Sequence, residues 1–270
     1  MSVSFVAPSK TPVPSVVRSV ARVLEALSVR SRKNWRGTLI VGFLVPLCFL
    51  LSLGLGLGSL TSGAVFGSGV GYAGYLAPAL LASAAVQFAV SEAAEPVMAG
   101  FKWQRTYEAI VSTPVTSSQL VLGQLLWIGV RVFVTSLLFF LAMLIFGLVQ
   151  NAWSVAIVVI AACGALAVAA PVMAYSATVR GATAFVLLTR LLVVPLSLTS
   201  GVFFPVDQLP DYAEYFAWAF PLAHLVALCR EVSLGGFNLS TAVIHVAVPI
   251  VWLAVGTALA MVRFRKRLST

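Results

Sequence analysis

Eight carboxylic acids, two histidines and three cysteines are all that this 270-residue chain offers for acid–base, metal or thiol chemistry. Their spacing assembles little of it. Glu92 and Glu95, one helical turn apart, come nearest to a carboxylate pair. Without a third ligand they make a weak metal site, and they are expected in water at a membrane boundary. His224 and His245 form no HExxH pair, and Gly67-Ser68-Gly69 belongs to a glycine-dense turn rather than to a nucleophile. None of Lys10, Lys33, Lys102 or Lys266 follows a glycine, so no P-loop can form. Cys48 and Cys163 fall in apolar runs and Cys229 follows Pro-Leu-Ala-His; with no metal or redox spacing, packing is their expected role. These residues speak against catalysis and against a resident cofactor or metal.

The elements that hold them are apolar. Hydrophobic residues make up 60% and charged residues 9%, against about 25% charged in a soluble domain, and the mean hydropathy is +1.03. Runs of roughly 20 apolar residues cross a bilayer as helices. The fold class is therefore an all-α polytopic membrane protein, with six predicted spans at about 38–57, 72–90, 120–148, 153–175, 182–203 and 241–262. Domain limits follow: 1–36 before the spans, 37–262 for the spanning unit and 263–270 for a basic tail. Within 1–36, Val16, Val20, Val23, Leu24 and Leu27 recur at helical spacing among Arg18, Arg22 and Arg30. That pattern fits an amphipathic helix lying in the membrane interface, or a solvated basic linker.

Net charge is +9, yet the cations lie at the two ends rather than on a groove for nucleic acid, so no nucleic-acid partner is expected. Lys10, Arg18, Arg22, Arg30, Arg32, Lys33 and Arg36 precede the first span, and Arg263, Arg265, Lys266 and Arg267 follow the last. Positive loops stay cytoplasmic, which predicts both termini there. The loop with Lys102 and Arg105 is then cytoplasmic as well, whereas 58–71 and 209–240 are external. Within spans, Arg131 and Arg190 are the charges to explain; neither has an evident acidic partner at its depth, and their roles stay open. Pro46, Pro78, Pro171 and Pro195 are kinks for gating or for packing.

Two stretches mix polar and aromatic residues. GFKWQRTYEAIVSTPVTSSQLVLG (100–123) carries a stop, since Pro114 biases Thr113 away from helix, and Thr116-Ser117-Ser118 can cap the next helix. GVFFPVDQLPDYAEYFAWAFPLAHLVALCREVSL (201–234) is broken by Pro205, Pro210 and Pro221. It predicts short helices dipping back into the outer leaflet, a re-entrant hairpin over about 203–235 with Asp207, Asp211 and Glu214 in water, or an ordinary interfacial loop.

YLAPALLASA (75–84), QRTYEAIVSTPVTSSQLVLGQLLW (104–127) and SGVFFPVDQLPDYAEYFAWAFPLAHLVALCR (200–230) resemble the permease subunits of ABC-2 type exporters. The resemblance is to the branch of nodulation-factor (lipooligosaccharide) and daunorubicin-resistance permeases. It implies a permease that moves an amphipathic or hydrophobic drug, lipid or glycolipid outward across a bacterial cytoplasmic membrane. Two copies of a separate ATPase, which carries the ATP and Mg, would push on a coupling helix at about 104–113. A second permease, identical or homologous, would complete a path lined by the first, second and fifth spans, in contact with membrane lipids. The implied coupling residues are Arg105, Tyr107, Glu108, Thr113 and Pro114, with Tyr107 filling a groove on the ATPase, unless Trp103 and Tyr107 are interfacial belt aromatics. The outer gate hairpin would use Phe203, Phe204, Pro205, Pro221 and His224. The alternatives are a self-contained carrier or channel and a membrane-embedded enzyme.

Overall fold

The computed structural model describes residues 15–31, 35–57, 71–179, 181, 183–188, 193–236 and 238–269. The glycine-dense loop, Lys10, Arg180 and Arg190 lie outside them.

Every regular element among the described residues is helical. Helix α1 (Val16–Ser31) turns Val20, Val23 and Leu27 inward and leaves Arg18 and Arg22 exposed, the two-sided pattern its sequence predicts. Its seat is the helix Ser117–Ile145, where Gly123 lacks the Cβ that would lie 2.5 Å from Val23 Cγ1. Helix α2 (Trp35–Phe49) carries Pro46 and runs on as a π-helical stretch, Leu50–Leu57.

At the centre of the bundle lies α3 (Tyr72–Lys102), a helix of 31 residues. At the usual rise it measures about 46 Å, beyond the roughly 30 Å of a hydrocarbon core. Ala77, Ala82, Ala85, Ala89 and Ala93 are buried along it; small side chains let neighbouring backbones approach. Helix α4 (Thr106–Val111) is a short elbow, after which α5 (Ser117–Ile145) begins in a full capping box. There Gln119 N–H donates to Thr116 Oγ1 at 3.3 Å and Thr116 N–H to Gln119 Oε1 at 2.9 Å. A 3₁₀ turn, Ala152–Val155, leads into α6 (Ala156–Ser176), and the Ser176 hydroxyl lies 2.8 Å from Ala93 O of α3.

Of the predicted fifth span, the described residues include two helical stretches, α7 (Thr183–Leu188) and α8 (Val194–Thr199), and residues 189–192 lie outside them. The aromatic segment forms α9 (Asp211–Ala219) and α10 (Pro221–Leu234), bent by 87° at Phe220. Helix α11 (Leu239–Leu268) closes the bundle. Among the described residues four helices, α3, α5, α6 (with its 3₁₀ lead-in) and α11, are long and apolar enough to span, and the bent pair α9–α10 makes five if it counts as one. The first predicted span differs because its helix passes into π geometry over Gly54 and Gly56, and in the fifth Pro195, with no backbone N–H, sits in the first turn of α8.

Helices α6 and α11 cross at Gly256, where a Cβ would meet Pro171 Cδ at 2.5 Å and Pro171 N at 2.7 Å. Pro171 backbone cannot yield, so Gly256→Val is expected to cost about 1–3 kcal/mol, read as a lower denaturation midpoint in detergent. Gly129→Ala, whose Cβ would meet only Leu166 Cδ1 at 3.4 Å, should stay within about 0.5 kcal/mol of the native chain.

Candidate functional site

The end of α3 turns sharply into α4. Arg105 makes the turn in the left-handed region, φ 46° and ψ 26°, which costs an L-residue roughly 1–2 kcal/mol and is offset by what the turn achieves. It drives Tyr107 into the bundle, fully buried. The Tyr107 ring meets Phe101 edge-on at 4.7 Å between centroids and Phe264 at 5.7 Å, while Phe101 and Phe264 are 4.7 Å apart. Tyr107 Oη–H donates to Gln124 Oε1 at 3.1 Å. Gly100 makes room, since a Cβ there would lie 2.6 Å from Tyr107 Cε2. One aromatic trio thus joins α3, α4 and α11, and the hydroxyl adds α5.

Arg267 extends the joint. Its guanidinium lies 4.6 Å from the Phe101 ring centroid and donates to Ala177 O at 2.7 Å, at the C-terminal end of α6, where a cation is favoured by the helix dipole. The expectation that Tyr107 fills a groove on a partner is corrected: the groove is its own chain's, bounded by Gly100, Phe101 and Phe264. What α4 shows outward is Arg105, Glu108, Ala109, Ser112, Thr113 and Pro114, all exposed. Thr113 N–H donates to Ile110 O at 3.1 Å, so the helix stops where Pro114 predicts.

Deeper between α3 and α5, Arg131 Nη1 donates to Glu92 Oε2 in an ion pair whose side chains are 14% and 6% exposed. Glu92 is therefore buried, not in water as its sequence position suggests, and Arg131 has the acidic partner that its surroundings in sequence do not show. The physical reason is length. Helix α3 continues to Lys102 instead of ending near Val90, so Glu92 lies inside the helix and faces Arg131 across the antiparallel α3–α5 pair. Glu95, one turn on, is exposed as expected.

At the opposite end a second arginine ties the hairpin down. The Arg230 guanidinium stacks 3.8 Å from the Tyr75 ring centroid and its Nη2 donates to Val202 O at 2.8 Å. Gly201, at φ 76°, lets the chain turn beside it. Tyr72 Oη–H reaches Phe203 O at 3.4 Å. Of the predicted gate residues, Phe203 is half-buried, Phe204 is exposed and Pro205 begins a 3₁₀ turn. Pro221 is buried at the first position of α10 and His224 is buried. His224 Nε2 lies 2.9 Å from Trp218 O and its Nδ1 2.8 Å from Nδ1 of His245 on α11. A neutral imidazole donates from one nitrogen only, so with Nε2–H given to the carbonyl, His224 Nδ1 accepts from His245 Nδ1–H. The hairpin is thereby locked to the last helix. Sequence reasoning missed Phe264, Gln124, Arg230 and His245. A charged residue in the apolar run 220–234 points to Arg230, but nothing in the basic tail marks Phe264. Among the described residues no three His, Cys, Asp or Glu side chains converge on a metal position.

Between α2, α3 and α8 lies a cavity of about 440 Å³, within the range of roughly 300–1,000 Å³ usual for ligand sites. Phe49, Phe88 and Phe203 supply apolar wall, and Ser83, Gln87 and Ser91 face it along α3.

The class this defines is a multi-pass helical membrane protein with an apolar cavity among its helices. Residues 22–234 match the ABC-2 type transporter family, and the chain belongs to it; it is a permease subunit of an ABC transporter and not an enzyme. Curated relatives include Nodulation protein J of Rhizobium leguminosarum bv. viciae, 30% identical over 224 residues that cover 83% of this chain and 85% of that one. Nodulation protein J of Bradyrhizobium diazoefficiens is 30% identical over 244 residues, 88% of this chain and 89% of that protein. That of Rhizobium meliloti is 30% identical over 190 residues, 70% and 71%.

Proposed function

We propose that this permease exports a lipooligosaccharide-type amphiphile outward across a bacterial cytoplasmic membrane, driven by two copies of a separate ATPase that dock on the α4 elbow. A second permease, identical or homologous, completes the path. Six spans result if α2 with its π-helical continuation is the first and α7–α8 the fifth; α9–α10 is then a re-entrant hairpin at the outer gate, and both termini are cytoplasmic. The terminal cations and the exposure of Asp207 and Asp211 support this topology. The substrate class rests on the likeness to nodulation permeases and on a cavity that is apolar but not wholly so.

The observation that carries the proposal is the elbow. Tyr107 anchors α4 to three other helices from within, while Arg105, Glu108 and Thr113 face outward. A push on that face reaches α3, α5 and α11 together. The chain has no P-loop of its own, so the push must come from another protein. A self-contained ion-coupled carrier is less well supported, because the charge of its one buried spanning carboxylate among the described residues, Glu92, is already answered by Arg131.

Copurification of the tagged chain with an ABC ATPase from the same cell is the test. Arg105→Glu/Glu108→Lys reverses both exposed charges without touching the buried trio. It is expected to keep the native denaturation midpoint while ATPase recruitment weakens about tenfold, or about 1.4 kcal/mol. Recruitment at native strength by this variant, together with undiminished export, refutes docking on the elbow.

A further inference from the structure

We propose that Gln87, with Ser83, reads an uncharged head bearing amide or hydroxyl groups in the cavity between α2, α3 and α8; this rests on the exporter reading and names what that cavity selects. Ser83, Gln87 and Ser91 stand at i, i+4 and i+8 of α3 and so share one face. Two of the cavity's hydroxyl protons are spent on their own helices: Ser91 Oγ–H donates to Phe88 O at 2.7 Å and Ser197 Oγ–H to Val193 O at 2.8 Å. Gln87 differs. One Nε2–H goes to Ser83 Oγ at 3.1 Å. Its second Nε2–H and its Oε1 have no hydrogen-bond partner among the described residues, and neither does the Ser83 hydroxyl proton. Gln87 is exposed to the cavity, not packed away.

A carboxamide with an open donor and an open acceptor, on a helix of spanning length, calls for an answering group, because polar atoms in an apolar setting cost free energy when unpaired. A secondary amide offers one donor and one acceptor and matches Gln87 atom for atom; vicinal hydroxyls match the combined Ser83–Gln87 pair. Among the described residues an ionised head finds no counter-charge. None of the described side chains lining the cavity is charged, and the nearby Arg131, 5.7 Å from the Phe88 centroid, is committed to Glu92. Bringing a phosphate or an ammonium into this lining would strip its water without compensation. The cavity thus selects by pairing neutral polar groups and by leaving charge unpaired, while Phe49, Phe88 and Phe203 accommodate the apolar remainder.

Binding to the full chain in lipid nanodiscs tests this with probes of one tail and different heads: dodecyl N-acetyl-β-glucosaminide, dodecyl phosphate, dodecyl trimethylammonium and dodecanol. The glucosaminide is expected to bind about tenfold more tightly than either charged probe. Gln87→Met should weaken the glucosaminide about tenfold and leave dodecanol unchanged. Gln87→Glu should weaken it too while dodecyl trimethylammonium gains affinity. Native glucosaminide affinity in Gln87→Met, or equal loss of glucosaminide and dodecanol, overturns the assignment. That failure leaves the exporter reading standing if the ATPase is still recruited, whereas failed recruitment refutes the exporter reading whatever the head preference.

Discussion

Arg131→Leu is expected to be among the most destabilising single substitutions in this chain, at about 3–5 kcal/mol. It leaves Glu92, 5% exposed and inside a helix of spanning length, with a charge and no counter-charge. The Phe88 ring loses the guanidinium 5.7 Å from its centroid as well. The decisive feature is non-additivity. Glu92→Leu alone strands the arginine and should cost a comparable amount, yet Arg131→Leu/Glu92→Leu removes both charges and should recover most of the loss, since an apolar pair of similar volume often equals a buried ion pair. Denaturation midpoints of the four proteins in one detergent give the coupling energy directly. Additive losses would mean that the two side chains are not partners. Because the pair bridges α3 and α5 next to the cavity wall, the double variant also separates stability from transport. A protein that is stable but exports poorly would assign the pair to the moving parts, and one that exports normally would make it a folding contact.

Tyr107→Ala is expected to cost about 3–5 kcal/mol, the usual range for emptying a buried aromatic site, because Phe101, Phe264 and Gly100 all pack on that ring. Tyr107→Phe keeps the ring and removes only the hydrogen bond to Gln124, so a loss of about 1 kcal/mol is expected. Export should follow the ring and not the hydroxyl: near native in Tyr107→Phe, and at least roughly tenfold lower in Tyr107→Ala even where the protein is folded and still recruits the ATPase. Retained recruitment with lost export distinguishes an anchor from a docking residue. If Tyr107→Ala instead abolishes recruitment while its midpoint stays native, the side chain contacts the partner after all.

Much of this architecture is legible along the chain, for reasons that differ from element to element. Long apolar runs declare α3, α5, α6 and α11, since burying that many side chains in lipid leaves helix as the way to satisfy the backbone. Local chemistry at the elbow is equally plain. Thr113-Pro114 stops α4, and Thr116 with Gln119 starts α5, because a missing N–H and a capping hydroxyl act within a few residues. Apolar spacing in 20–27 names the buried side of α1, although Val16 of the same series is exposed and only the fold reveals that Gly123 of α5 receives Val23. The passage of the first predicted span into π geometry escapes a hydropathy count, which registers apolarity and not helix geometry.

The sequence by itself determined the class of this protein: apolar composition marks a multi-pass membrane protein, and three motif stretches carry the likeness to ABC-2 permeases, which implies a partner for ATP. Those properties are sums or local patterns, and each can be read without knowing what touches what. Tertiary structure alone decided that the Tyr107 ring packs inside its own chain. It paired Glu92 with Arg131 across 39 positions of sequence and seated Arg230 on Tyr75 across 155. It also opened the carboxamide of Gln87 to a cavity. Each of these depends on which helix faces are brought together, and helix periodicity specifies that a face is apolar without specifying the neighbour that covers it.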